Sequence, residues 1–317
     1  MSQVPYAVRL SGRGGYGREA PPVPVGQILA QTGPAVRQAI LMGFVGRSSP
    51  PGRPPRWLDR AADVRFVGID GDEQGATILR FEAPRLGEAA EELYRQQEFW
   101  SSNPDGDDTG FDLLGDVLGD VAEHREDSGR FDTALLRRIG HFGKVFGRGF
   151  DRATLTGHRF GADSPAVLDG ATVENARRLD SETPMPQQVR VAGTLDMIRM
   201  SSASFELILD DKTRARGVLV AGDGADVPPL AGGRVLVQGV AVYRPSGRLL
   251  RIDARRVEPG ADAAGFWSKI PPPRRRKFDP RTLRKPQGPT NGVSAFFGTW
   301  PGNESDEEWG EIVESLS

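Results

Sequence analysis

The residue types that carry most enzymatic chemistry are few in this chain and poorly spaced for it. His124, His141 and His158 stand too far apart for a helical i, i+4 metal pair, and none has a second ligand cluster beside it in sequence. With no cysteine, thiolate metal sites, cysteine nucleophiles and disulfides are excluded, and a reducing compartment is the natural setting. There is no Gly-x-Ser-x-Gly elbow, no phosphate loop ending in Gly-Lys-Ser/Thr, and no His-Glu-x-x-His. The stretch Asp105-Gly106-Asp107-Asp108-Thr109-Gly110, with Asp116 beyond it, has part of the oxygen-ligand spacing of a calcium loop. Asp116 sits where the bidentate glutamate belongs, and no incoming helix precedes the loop, so it reads as a solvated loop with a helix cap.

Other candidates fall to context. Gly12, Gly14, Gly15 and Gly17 have the density of a dinucleotide fingerprint, but Pro21, Pro22 and Pro24 follow where a helix would have to start. Asp210-Asp211 falls in an expected hairpin turn and Glu307-Glu308 at a helix start, neither of which implies a shared proton. The expectation is a protein that is not an enzyme and needs no cofactor and no metal.

Binding chemistry is better represented, above all at the C-terminus. Ser305 and Glu308 make a capping box, and Asp306, Glu307 and Glu308 place negative charge where a helix N-terminus favours it. Trp309, Ile312, Val313 and Leu316 then fall on one face, with Glu311 and Glu314 turned away. Ordering such a helix costs roughly 1–2 kcal/mol per residue in backbone entropy. Its four apolar side chains return about 1.5–3 kcal/mol each when fully buried. The helix therefore needs a surface to pack on, either this protein's own body or another protein. Phe296, Phe297, Trp300, Asp306, Glu307, Trp309, Ile312 and Leu316 are the candidate partner-binding residues, the aromatic and aliphatic ones as anchors.

The order Trp300, Pro301, Gly302, Glu304, Ser305, Asp306, Glu307, Glu308, followed by a short apolar helix and Leu316-Ser317, resembles the C-termini of small bacterial antitoxins. In that group the partner is a PIN-domain ribonuclease toxin, so the resemblance implies a protein partner of that kind. The likeness covers Phe297 to Ser317 only. The body is far larger than that of a usual antitoxin, and no arginine follows Arg284, whereas many such tails insert one among the toxin's metal-binding carboxylates. Groove occupation rather than plugging of the active site is what the resemblance then implies.

The elements that must carry these residues are legible from periodicity. Residues 1–159 read as an α+β domain: a strand through Tyr6, Val8 and Leu10, a helix over Val25 to Val45 interrupted at Gly33-Pro34, and a hairpin from Val64 to Glu82. Helices follow through Leu86, Ala90, Leu93 and Trp100, through Phe111, Leu114, Leu118 and Val121, and through Leu135, Ile139, Phe142 and Phe146. Helices covering one face of a sheet are expected. Residues 160–187 read as a linker, and 260–317 as an extended arm, basic and then acidic, ending in the helix.

Between them, 188–259 has five alternating segments in the order long, short, short, connection, long, long, with Gly193 and Gly239 inside strands. That is the pattern of a small five-stranded Greek-key β-barrel. The segment resembles OB domains of the nucleic-acid-binding kind, where a strand with Gly-x-Leu-x-x-Ile opens the barrel and a Gly-x-Ala/Val-x-Tyr strand comes fourth. The implied alternative function is binding of single-stranded RNA or DNA, with Tyr243 stacking and Arg244, Arg248, Arg251, Arg274, Arg275, Arg276 and Lys277 on phosphates. Phe205 alternates with the core set and reads as core.

At 317 residues the chain is long enough for two domains, and a formal charge of −2 announces no global field for nucleic acid or membrane. The start lacks a basic n-region and an apolar h-region, and the best apolar run, Ile40 to Val45, is too short to span a bilayer. A cytoplasmic protein without membrane attachment is expected.

Overall fold

A computed structural model describes residues 2–50, 52, 54–94, 104–147, 149–199, 202–220, 227–260 and 269–274. The chain divides into two units, Met1–Arg276 and Lys277–Ser317, and the described residues all belong to the first. That unit is α+β and has two lobes, each with its own hydrophobic core.

The N-terminal lobe runs through β1 (Gln3–Ser11), α1 (Pro22–Val45), α2 (Arg56–Ala61), β2 (Arg65–Gly71), β3 (Thr77–Pro84), α3 (Leu86–Ala89) and α4 (Glu91–Tyr94). It continues with α5 (Gly110–Ala122), α6 (Thr133–His141), a 3-10 turn over Phe142–Lys144, β4 (Arg152–Thr156), β5 (Ala166–Asp169) and α7 (Gly170–Glu182). The strands form one antiparallel sheet in the order β2-β3-β1-β4-β5. Val4, Tyr6, Val8 and Leu10 of the central strand are buried, as the period-2 alternation requires, and pack with residues of α1, α5 and α6 in one core.

Four expectations change here. The helix expected through Leu135, Ile139, Phe142 and Phe146 ends at His141, with Phe142 in the 3-10 turn and Phe146 in an isolated bridge to Phe150. The helix over Val25 to Val45 is not interrupted at Gly33-Pro34: α1 is continuous, with Pro34 inside it. Proline removes one backbone donor and costs about 3 kcal/mol in a helix interior, but Ile28, Ala35, Val36, Ala39 and Ile40 on both sides of it are buried in the core. Burial at about 1.5–3 kcal/mol per large aliphatic side chain outweighs the single defect. Residues 160–187 are not a plain linker, since they contain β5 and α7. Ala166 and Leu168 alternate inward, Asp169 caps α7 by accepting from the Thr172 amide, and Val173, Ala176 and Leu179 bury one helical face. Where one long helix is expected from Leu86 to Trp100 there are two short ones, α3 and α4, the remainder falling outside the described residues.

The second lobe is a closed barrel of β6 (Gln187–Arg199), β7 (Ser204–Ile208), β8 (Arg214–Leu219), β9 (Arg234–Tyr243) and β10 (Leu249–Pro259). Around the barrel the order is β6-β7-β8-β10-β9 and back to β6, with β8 and β10 parallel and the other neighbours antiparallel. This is an OB-like arrangement. Val191, Leu195, Phe205, Leu207, Val237 and Ile252 fill its interior. Gly239 stands where β9 crosses β10, and a Cβ there would press into the Asp253 carbonyl oxygen and the Ala254 backbone. Closing a five-stranded barrel forces such tight crossings, and glycine removes the obstacle.

Gly239→Val is expected to overpack this crossing at a cost of about 1–3 kcal/mol. The corresponding drop in Tm is roughly 2–12 °C; a thermal melt with no shift would contradict the close approach.

Candidate functional sites

Of the barrel arginines expected to bind nucleic acid, Arg251 is buried in the junction between the lobes, while Arg244 and Arg248 contact the other lobe at its exposed edge. Arg251, on β10, is buried and donates from Nη1 to the Gly46 carbonyl at 3.1 Å and to Asp132 Oδ2 at 3.2 Å, and from Nε to Asp253 Oδ1 at 2.7 Å. Asp132 is the N-cap of α6: its Oδ1 accepts from the Ala134 and Leu135 amides and from the Ser48 hydroxyl, and its Oδ2 accepts from the Ser48 amide. Arg47 pairs with the other oxygen of Asp253 at 3.3 Å. One guanidinium thus ties together the last barrel strand, the end of α1 and the start of α6.

The position of these charges follows from the helix ends. Gly46, at φ 76°, closes α1 in a left-handed cap, and the last turn of α1 has no basic residue to offset its exposed carbonyls. Arg216 on β8 donates to the Phe44 carbonyl at 3.3 Å, so the barrel supplies those cations through Arg216 and Arg251. Burial, with the nearby Arg199 and Arg251 charges, holds the Arg216 guanidinium below its ordinary pKa.

A second contact lies at the turn between β9 and β10. Arg244 donates to the Asp127 carbonyl at 2.5 Å, and Arg248 and the Ser246 hydroxyl hold the two oxygens of its carboxylate at 3.0 and 2.5 Å. The Ser246 hydroxyl and then the Arg248 guanidinium keep the Asp127 carboxyl below the usual aspartate pKa. Tyr243 is buried in the barrel with its hydroxyl donating to the Pro271 carbonyl at 3.0 Å, which leaves its ring unavailable for stacking on a base. Phe205 lies in the barrel core, as its alternation implies. Arg274 is exposed. Arg275, Arg276 and Lys277 lie outside the described residues, as do Phe296, Phe297, Trp300, Asp306, Glu307, Trp309, Ile312 and Leu316.

The Asp210-Asp211 pair occupies the β7–β8 turn as expected; Arg234 holds Asp210 below its usual pKa, and the Thr213 amide does the same for Asp211.

The histidines differ from their linear appearance, because folding gives two of them carboxylate neighbours. His124 Nε2 lies 3.1 Å from Glu182 and 3.9 Å from Glu126. His158, in the turn after β4, has Nδ1 at 3.4 Å from Asp112 Oδ2 in the first turn of α5, close also to Asp108. The Asp105–Asp116 loop does end in a helix cap: Thr109 accepts from the Phe111 amide while Asp112 Oδ2 accepts from the Thr109 amide at 2.8 Å. That oxygen also accepts from the Tyr6 hydroxyl at 2.6 Å, and the Thr109 hydroxyl donates to Tyr6 at 2.9 Å. Arg159 bridges Asp108 and Asp116, both at 3.1 Å. Burial and then the Asp112 bond push the Tyr6 pKa far up, so the phenol stays protonated and donates. Burial raises the Asp108 pKa against the pull of Arg159. Linear spacing carries no signal for the cluster, because Tyr6, Asp112 and His158 meet only when β1, α5 and the β4–β5 turn pack.

Compared with protein-family models, with curated proteins and with solved structures, the chain matches none.

Arg251→Ala leaves the Gly46 carbonyl buried without this donor and Asp132 buried without its counter-charge, an expected loss of about 3–5 kcal/mol and roughly 6–20 °C in Tm by thermal melt. The exposed Asp127 contact behaves differently with pH. Its folded pKa is depressed, so its contribution is complete above the ordinary aspartate value of about 3.9. It is lost as pH falls through the lower folded value. Wild type and Asp127→Asn should differ by a constant Tm margin at neutral pH and converge in acid; a margin that grows in acid would reverse the sign.

Proposed function

We propose that this chain is a non-enzymatic partner-binding protein that engages a second protein through its C-terminal arm. Its occupant is a PIN-domain ribonuclease, neutralised by groove occupation, as the antitoxin-like order from Trp300 to Glu308 implies. The observation that carries the reading is the engagement of the barrel's candidate ligand residues within the body. Arg244, Arg248 and Arg251 hold the α/β lobe, and Tyr243 is buried. The buried Arg251 must give up its carboxylate and carbonyl partners before tracking phosphates, whereas the exposed Arg248 pair is a weaker tie. Recognition then falls to the arm, whose amphipathic pattern joins aromatic anchors to an acidic helix start.

In this reading the two lobes are a scaffold, and the arm contributes Phe296, Phe297 and Trp300 as anchors ahead of the Trp309, Ile312 and Leu316 face. Asp306 and Glu307 set the helix start and its electrostatic fit. The nucleic-acid alternative rests on the basic stretch Arg274, Arg275, Arg276 and Lys277.

The test is co-expression of the full chain, and of a version ending at Gly288, with the neighbouring open reading frame. The full chain is expected to retain the neighbour and suppress its ribonuclease activity, while the shortened chain does neither. Trp309→Ala with Ile312→Ala should abolish retention without lowering Tm. Retention by neither form, with salt-sensitive binding of single-stranded RNA by the full chain, would overturn the proposal in favour of nucleic acid.

A further inference from the structure

Apart from the arm and the barrel, the cluster at the start of α5 has a chemistry that its hydrogen bonds do not exhaust. Asp112 is fully buried, and both bonds recorded for its carboxylate, from Tyr6 and from the Thr109 amide, go to Oδ2. Oδ1 is sealed from solvent and has no hydrogen-bond partner among the described residues. A buried carboxylate oxygen without a donor is costly, and such a group in a native fold calls for an ion or another partner. Next to it stand a second, largely buried carboxylate, Asp108, and an imidazole nitrogen, with one ligand atom from each of the three residues lying within 4.8 Å of the others.

We propose that Asp108, Asp112 and His158 bind a divalent transition-metal ion of the zinc or manganese class. The ligand set is two carboxylates and one imidazole; the imidazole selects against magnesium and calcium, which prefer all-oxygen shells. Metal bonds of about 2.0–2.2 Å at a tetrahedral angle place neighbouring ligand atoms roughly 3.3 Å apart. His158 Nδ1 stands 3.4 Å from Asp112 Oδ2, close to that spacing, so the imidazole already faces a carboxylate whose other oxygen, Oδ1, has no donor among the described residues. Asp108 comes from the loop just before the Thr109 N-cap and Asp112 from the first turn of α5, on backbone fixed by the capping box. His158 comes from a surface turn and is partly exposed, which gives the ion a way in. Three protein ligands leave the remaining positions to water.

Arg159 is the cation that a metal ion would have to displace from Asp108. Its guanidinium lies on Asp108 at 3.1 Å, where it supplies positive charge beside the paired carboxylates, and it also holds Asp116 through both of its terminal nitrogens. On metal binding Arg159 keeps Asp116 and releases Asp108. Arginine thus competes with the metal, and its removal should tighten binding.

The test is titration of the full chain with Mn2+ followed by electron paramagnetic resonance, with Zn2+ as competitor. One Mn2+ is expected per chain, displaced by Zn2+. His158→Ala should weaken binding at least tenfold, and Arg159→Gln should tighten it several-fold. His124→Ala should leave it unchanged, because the His124, Glu126 and Glu182 group is separate. Circular dichroism checks that each variant is folded, and His158→Gln replaces the alanine variant if that one is not. No Mn2+ or Zn2+ binding at millimolar metal would overturn the proposal, as would affinity unaffected by His158→Ala or lost with His124→Ala.

Discussion

The buried contact of Arg251 with Asp132 is the constraint on which the arrangement of the body depends. Each ion alone would be expensive to bury, and the pair is tolerated because almost every donor and acceptor around it is answered. Arg251 reaches Asp132, Asp253 and the Gly46 carbonyl, and Asp132 answers Ser48 and two amides of α6. The barrel therefore cannot rotate against the α/β lobe without stripping a buried charge of its partners. The hydrophobic contact agrees with this, since Val242 and Leu250 of the barrel join the core of the other lobe.

This constraint bears on how the barrel can be used. In OB folds, the loop between the fourth and fifth strands commonly contributes to ligand binding. The corresponding turn here, Arg244 to Arg248, holds Asp127, and the Arg216 side chain on β8 lies against the end of α1. The barrel fold is thus present with this turn and the Arg216 side chain in contact with the α/β lobe, and the fold alone does not assign a function.

A second group of buried charges, at the start of α5, is answered less completely. Asp112 serves as capping residue and as acceptor for Tyr6 through one oxygen and leaves the other without a donor. Arg251 and Asp132 make a rigid joint because their hydrogen-bonding capacity is nearly used. The Asp108, Asp112 and His158 group retains capacity, which is what a ligand site requires.

Much of the architecture was legible before folding. The alternation of Tyr6, Val8 and Leu10, the helical spacing of Phe111, Leu114, Leu118 and Val121, and the five-strand pattern with Gly193 and Gly239 all report local burial, which has the period of its own element. The continuity of α1 through Pro34 was not legible, because it rests on core packing around the proline rather than on local propensity. Nor was the short β5–α7 segment, whose four-residue strand is too brief to show a period. The sequence by itself determined which residues are apolar and with what rhythm, and hence the element types and the barrel. Only the tertiary structure decided that Arg251 is a buried joint and that His158 meets Asp112. Charges and imidazoles have no periodicity of their own, and their roles come from partners brought close in space from distant parts of the chain.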